Sequence, residues 1–189
     1  MQKVFLEKPT LERKQEAFDY IKEFEIDGSF PNGSGGITRF MGDYEGWLAK
    51  LDTYEHMQPT ESLVPAVEFF GVDDKNKIVG MVNIRLVLNE ELKNGSGHIG
   101  YSVRPTERKK GYAKAILYEA LKVCDEHNIS EALASCYESN IASEKTIIAL
   151  GGKLIKTIKK EDESLKIFTI DVKQSLTKYA SEYNNPTKA

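Results

Sequence analysis

The sequence predicts a mixed α/β domain built on one sheet, with helices gathered toward its N-terminal side. Three observations carry that prediction. Between residues 10 and 57 apolar side chains recur at helical spacing, and from 66 to 104 they fill short β-rich runs. From 105 to 173 helix-like and strand-like runs alternate and close in a hairpin, so the order reads ββ, then β-α-β-α-ββ.

Taken in order, KVFLE (3–7) reads as a short strand. After Pro9, Thr10 can cap a helix running to about Phe24, with Phe18, Ile21 and Phe24 on one side. Residues 28–40, GSFPNGSGGITRF, hold several glycines and a proline, which disfavour regular structure. This loop, ending in Arg39 and Phe40, reads either as a cover for a site or as a connector. Asp43 can cap a second helix, in which Tyr44, Trp47, Leu48 and Leu51 form an i, i+3, i+4, i+7 stripe destined for the core. Pro59 and Pro65 bracket a polar break.

Strands follow. AVEFFGV (66–72) and KIVGMVNIRLVL (77–88) are joined by a hairpin-like turn, Asp73-Asp74-Lys75-Asn76, and HIGYSVR (98–104) ends at Pro105. Ala113, Ile116, Leu117, Ala120, Leu121 and Cys124 mark the buried stripe of an amphipathic helix. EALASCYE (131–138) is a strand, and NIASEKTIIAL (140–150) is a helix stopped by Gly151-Gly152. KLIKTIKK (153–160) and SLKIFTIDV (164–172) form the closing hairpin around Glu161-Asp162-Glu163. Residues from Gln174 onward are polar and are expected to be frayed or loosely packed. The whole reads as a single domain, 1–189, with a helical part (1–64), a core (65–173) and a polar tail (174–189).

Composition narrows the function classes. The chain of 189 residues is 40% hydrophobic and 29% charged, too apolar for a disordered segment. Its net charge of -3 gives no global attraction to nucleic acid or an anionic membrane, so any anion site must be local. MQKVFLEKPT lacks the apolar run of a signal peptide, no stretch is long and apolar enough to span a bilayer, and the expected location is cytoplasmic. Cys124 and Cys136 are expected to be reduced thiols, Cys136 in the core. His56, His98 and His127 are far apart and not at ligand spacing from a cysteine, so no metal is expected.

The stretch RKKGYA (108–113) is unusual. A strand ending at Pro105 and a helix starting at about Arg108 leave the helix's first amides without partners, at the positive end of its dipole. Gly111 lets a ligand oxygen approach the backbone, Ala113 keeps the next position small, and Arg108, Lys109 and Lys110 add charge. Such an arrangement suits a pyrophosphate, although neither the P-loop nor the dinucleotide-binding spacing is present. On spacing alone, a solvated basic helix start accounts for it equally well.

R-K-K-G-Y-A resembles the R/Q-x-x-G-x-G/A signature of the GNAT superfamily of N-acetyltransferases. The resemblance extends to the preceding strand with Val103-Arg104-Pro105 and to Asn140-Ile-Ala-Ser143 running to Leu150-Gly151, and covers roughly residues 65 to 160. It implies a mixed, mostly antiparallel sheet that splays at the cofactor strands, with the N-terminal helices shaping the acceptor site. It also implies acetyl-CoA as co-substrate without a metal, and transfer to an amine of a small molecule or peptide in a ternary complex. A homodimer is compatible with it.

Residue by residue, the resemblance implies that the amides of Lys109, Lys110, Gly111, Tyr112 and Ala113, flanked by Arg108 and Lys114, hold the CoA pyrophosphate. The Tyr101–Val103 strand would pair with the pantetheine arm, and an N–H near Val103 would meet the thioester oxygen as it becomes an oxyanion. Asn140 and Ser143 would contact the pantetheine amide, with Lys145 near the adenosine phosphate or simply solvated. Many relatives carry a tyrosine in the helix after Asn140 as the acid for the thiolate, and here the aligned position is Ile147. The proton-transfer candidates left are Tyr101, His98 and Tyr137, with Glu68 or Glu138 as base. In a regular strand His98 and Tyr101 face opposite sides. Asn83 and Arg85, on one strand face with Met81, could line an acceptor pocket and bind a carboxylate, or belong to a half-exposed face. Rival readings are a CoA-sensing module without transfer, supported by Ile147, and a protein-interaction domain using the N-terminal helices.

Overall fold

Among the described residues seven strands form one sheet: β1 (Val4–Glu7), β2 (Ala66–Asp73), β3 (Ile78–Arg85), β4 (Ile99–Val103), β5 (Glu131–Tyr137), β6 (Lys153–Lys159) and β7 (Ser164–Asp171). In the computed structural model, which describes residues 2–183, their order is β1-β2-β3-β4-β5-β7-β6. Every neighbouring pair is antiparallel except β4–β5. The mixed, mostly antiparallel sheet expected from the sequence is therefore present. Among the described residues six helices accompany it: α1 (Lys14–Asp27), α2 (Tyr44–His56), α3 (Glu90–Lys93), α4 (Tyr112–Glu126), α5 (Ile141–Ala149) and α6 (Val172–Tyr183).

Alternation along the strands gives the sheet two apolar faces, each covered by different helices. On one, Tyr20, Ile21 and Phe24 of α1 and Trp47 of α2 pack on Phe70 and Met81. On the other, Ile116, Leu117 and Leu121 of α4 pack on Val82, Ile84, Ile99 and Ala134. Trp47 is fully buried, as its stripe requires, and its indole N–H donates to Gly35 O at 3.2 Å. Full burial of such side chains contributes about 1.5–3 kcal/mol each.

Several boundaries differ from the sequence reading. Thr10 makes no side-chain cap; a short 3-10 turn (Leu11–Arg13) precedes α1, which runs past Phe24 to Asp27 and ends at a left-handed Gly28. Asp43 does cap α2, accepting from Gly46 N at 2.9 Å. The 28–40 loop contains a 3-10 turn over Ile37–Phe40, with Ile37 buried. The polar tail is corrected over 174–183, which belongs to α6. Val172 and Ser175 are buried there, Leu176 packs on the core, and Ser175 Oγ donates to Leu150 O at 2.7 Å. A sparse stripe (Val172, Leu176, Tyr179) among polar residues hides this helix from a composition reading. The rest of the expected tail lies outside the described residues. Among the described residues no helix is long and apolar enough to cross a membrane.

Candidate active site

The β4–β5 pair is where the sheet opens. Its parallel register is confined to Ile99 opposite Ala134, while β4 pairs with β3 throughout and β5 with β7 throughout. Arg85 N donates to His98 O and Arg104 N to Val79 O, each at 2.8 Å, so Gly100 and Ser102 between them turn their backbone groups toward β3, while His98 N still donates to Leu133 O of β5 at 2.7 Å. By alternation, the amides of Tyr101 and Val103 face the side from which β5 has departed. A cleft therefore exposes strand backbone inside an otherwise closed sheet.

A cavity of about 580 Å³ runs from this cleft to the start of α4, lined among others by Tyr101, Val103, Arg108, Gly111, Ala113, Asn140 and Ser143. The helix begins at Tyr112 instead of Arg108, because Pro105–Glu107 forms a 3-10 turn and the chain then passes through Lys109 (φ 62) and Gly111 (φ 92). The first intrahelical bond runs from Ala115 N to Gly111 O at 3.3 Å, so the Tyr112 and Ala113 amides stand at the open end of the helix. A Cβ placed on Gly111 would meet nothing within 4 Å. That empty concavity beside left-handed backbone and helix amides fits a pyrophosphate, as does the off-sheet backbone of Tyr101 and Val103 for an amide-bearing arm.

The predicted cations divide. Arg108, Lys109 and Lys114 line the cavity, but Lys110 does not: its Nζ lies 2.6 Å from Glu107, which also binds Lys77. Those bonds, that of Lys110 first, hold the Glu107 carboxyl below its ordinary range. Arg108 donates to Asp27 and to Ser29 Oγ, both at 2.7 Å, and so ties the end of α1 to the loop. Lys114 pairs with Glu182 at 3.0 Å.

On the α5 side, Asn140 caps the helix by accepting from Ser143 N at 3.1 Å, and the Tyr101 hydroxyl lies 3.1 Å from Ser143 Oγ. Burial pushes the Tyr101 phenol up to about 12, against the pull of Ser143 and Thr146. Ile147, next along the helix, is fully buried. Cys136 is a buried free thiol raised chiefly by desolvation, in keeping with a core role. Tyr137 and Glu138 are exposed and line neither cavity.

His98 departs from its proposed role. It lies just before β4, lines neither cavity, and its Nδ1 accepts the Leu133 N–H at 3.0 Å. Burial, with Arg85 nearby, brings its pKa down to about 4. That ring nitrogen is already committed to the sheet at the root of the splay, and burial favours the neutral ring, so His98 stands apart from both cavities.

A second cavity of about 360 Å³ sits on the α2 face of the sheet, between the 30–36 loop, α2 and β3. Asn83, Arg85 and Lys50 reach it, and Phe30 and Asn32 belong to the walls of both cavities. Gly33 presses on β4 at this seam: its Cβ would fall 1.9 Å from Gly100 O. Behind Gly35 and Asn83 lies Glu68, 3% exposed, its Oε2 accepting from Asn83 Nδ2 at 3.0 Å. Its Oε1 is buried with no hydrogen-bond partner among the described residues. Desolvation raises the Glu68 carboxyl well above its ordinary value, opposed by Asn83, Arg85 and Lys50. The sequence brought forward Asn83 and Arg85 as a pair and Glu68 apart from them, and the strand register of Glu68 opposite Asn83 joins the three. Lys50, Phe30 and Asn32 carry no sequence signal of their own; their places depend on how the glycine loop folds back.

A profile described as the acetyltransferase (GNAT) family matches residues 37–151, more than half of the chain. No curated protein sequence matches it. Solved structures share the fold at low identity. RimJ from Mycobacterium smegmatis in complex with CoA-disulfide superposes with TM-score 0.71 at 16% identity, covering 94% of this chain and 89% of its own. The microcin C7 self-immunity acetyltransferase MccE, bound to acetyl-CoA and AMP, gives 0.63 at 18%, covering 88% and 91%. The ribosomal-protein-S5-alanine acetyltransferase from Vibrio fischeri gives 0.64 at 20%, covering 89% and 92%.

Proposed function

Because this chain belongs to the acetyltransferase (GNAT) family, we propose that it is a cytoplasmic, acetyl-CoA-dependent N-acetyltransferase acting on an amine by direct attack in a ternary complex. The observation that carries the reading is the open β4–β5 pair lying in one continuous cavity with the left-handed turn at Gly111. The Tyr112 and Ala113 amides, with Arg108, Lys109 and Lys114 around them, would hold the pyrophosphate. The Tyr101 and Val103 backbone would hold the pantetheine arm, with Asn140 and Ser143 at its side.

When bound, acetyl-CoA supplies an activated acyl carbonyl. An N–H aimed at the place where negative charge gathers on that oxygen is worth about 2.7–4 kcal/mol in a dry site, and Val103 is the proposed donor. Glu68, which lies behind Gly35 and Asn83 and whose basicity is raised by burial, is the group that takes the proton an attacking amine sheds, through an intervening water. Tyr101, protonated at neutral pH, returns a proton to the departing sulfur from the opposite face of the sheet. The new bond is N–C and the broken one C–S; one proton leaves the amine and one arrives at the thiolate. The strand tyrosine thus supplies the hydroxyl that Ile147 does not. A second reading, a CoA-binding module without transfer, rests on that isoleucine.

Incubation with acetyl-CoA and a broad amine panel, with free thiol measured, separates them. Amine-dependent thiol release supports transfer; tight CoA binding with no release for any amine overturns it.

A further inference from the structure

The cavity on the α2 face is lined by two cations, Lys50 and Arg85, and by no aspartate or glutamate. The rest of its wall is largely backbone and apolar side chains, Leu51, Leu63, Val64 and Leu92 among them. Among the described residues the Arg85 guanidinium donates one hydrogen bond, to Gly97 O at 3.0 Å, which leaves most of its fork of five donors unspent. Lys50 Nζ donates to Gly35 O at 2.9 Å and faces the ring of Tyr54. The carboxylate nearest both cations, Glu68, is set behind the wall with one oxygen lacking any partner. Two partly desolvated cations offset by a carboxylate set behind the wall are costly, and a ligand anion in the cavity itself relieves that cost. A polyamine would bring further positive charge to them.

We propose that the acceptor is a small amine bearing its own carboxylate, of the free amino-acid class, its carboxylate held by Arg85 and Lys50 and its amino group directed toward Glu68. The assignment rests on the acetyl-transfer reading and narrows its substrate. The cavity of about 360 Å³ suits a molecule of that size. Arg85 provides the planar, bidentate contact that a carboxylate prefers.

The test compares each L-amino acid with its amide and its decarboxylated amine, by calorimetry on the protein with and without CoA and by thiol release with acetyl-CoA. At least one amino acid should bind and react about tenfold or more better than its amide and its decarboxylated amine. Arg85→Gln and Lys50→Met should each erase that preference while CoA affinity stays at the wild-type level. Amides or simple amines binding as well as the amino acids, or no amino acid binding in either state, overturns the proposal. Absence of thiol release while the calorimetric preference persists counts instead against acetyl transfer.

Discussion

The Tyr101 hydroxyl lies 3.1 Å from Ser143 Oγ and so spans the gap between β4 and α5 at the point where β4 and β5 part. It carries a proton donor from the strand to within one turn of Ile147, whose own side chain is sealed in the core. With its phenol pushed up to about 12 by burial, Tyr101 stays protonated at any pH the enzyme would meet.

Tyr101→Phe keeps the ring and removes only the donor. The turnover number should fall by about 10²-fold or more, with the KM for acetyl-CoA little changed, in a thiol-release assay. A turnover number close to wild type would assign the proton to water. The lost hydrogen bond should cost about 1 kcal/mol of stability.

Glu68→Gln should lower the rate by about 10²-fold or more and remove the acid limb of the pH–rate profile. Its stability effect has a definite sign. The folded state holds this proton more tightly than the unfolded chain, so the group's contribution is whole below about pH 4.5 and is lost as pH rises through the elevated folded value. Glutamine suffers no such loss. The difference in Tm, Gln variant minus wild type, should therefore grow from pH 5 to pH 9, at about 2–4 °C per kcal/mol for a chain of this size.

His98 works in the other direction. Its folded pKa, down to about 4, lies below the ordinary 6.5, so its contribution is complete above pH 6.5 and is lost as pH falls toward 4. His98→Gln should flatten the acid-side decline of Tm and leave the pH–rate profile between pH 6 and 9 unchanged in shape. A missing kinetic limb in that range would return His98 to the chemistry.

Gly33→Ala tests the seam between the cavities. At φ +67 a Cβ is strained, and here it would also fall 1.9 Å from Gly100 O and 2.6 Å from Tyr101 N. The loop must lift from β4. Backbone strain alone costs about 1–2 kcal/mol, so the Tm should drop by at least about 3 °C, and the acceptor KM should rise more than that for acetyl-CoA. Gly28→Ala, at φ +69 with nothing within 4 Å of the added carbon, is the control and should change stability alone.

Much of this architecture could be read along the chain. The strand runs 66–72 and 77–88, the α4 stripe and the closing hairpin all announce themselves along the chain, because their apolar and β-prone residues are concentrated in short continuous runs or at a regular helical spacing. Helix α6 did not, since only three apolar positions fasten it and its remaining face is solvated. The start of α4 was misplaced by four residues because Pro105 supports a 3-10 turn as readily as a helix. Within the site, Gly111 and Asn140 were legible as local chemistry. Lys50 was not, since its role comes from a loop folding back across two strands, and neither was the lowered pKa of His98, which burial and then Arg85 bring about, nor its bond to a backbone amide of β5.

Calorimetric titration of CoA into the wild-type protein and into Gly111→Trp bears most directly on the central assignment. The wild type should bind one CoA per chain, with a thermal stabilisation of about 2.7 kcal/mol at a hundred times the dissociation constant. The indole, projecting into space that is open beside Gly111, should abolish both signals while the variant still unfolds cooperatively. CoA binding of undiminished affinity by the tryptophan variant, or none by the wild type, would contradict the account.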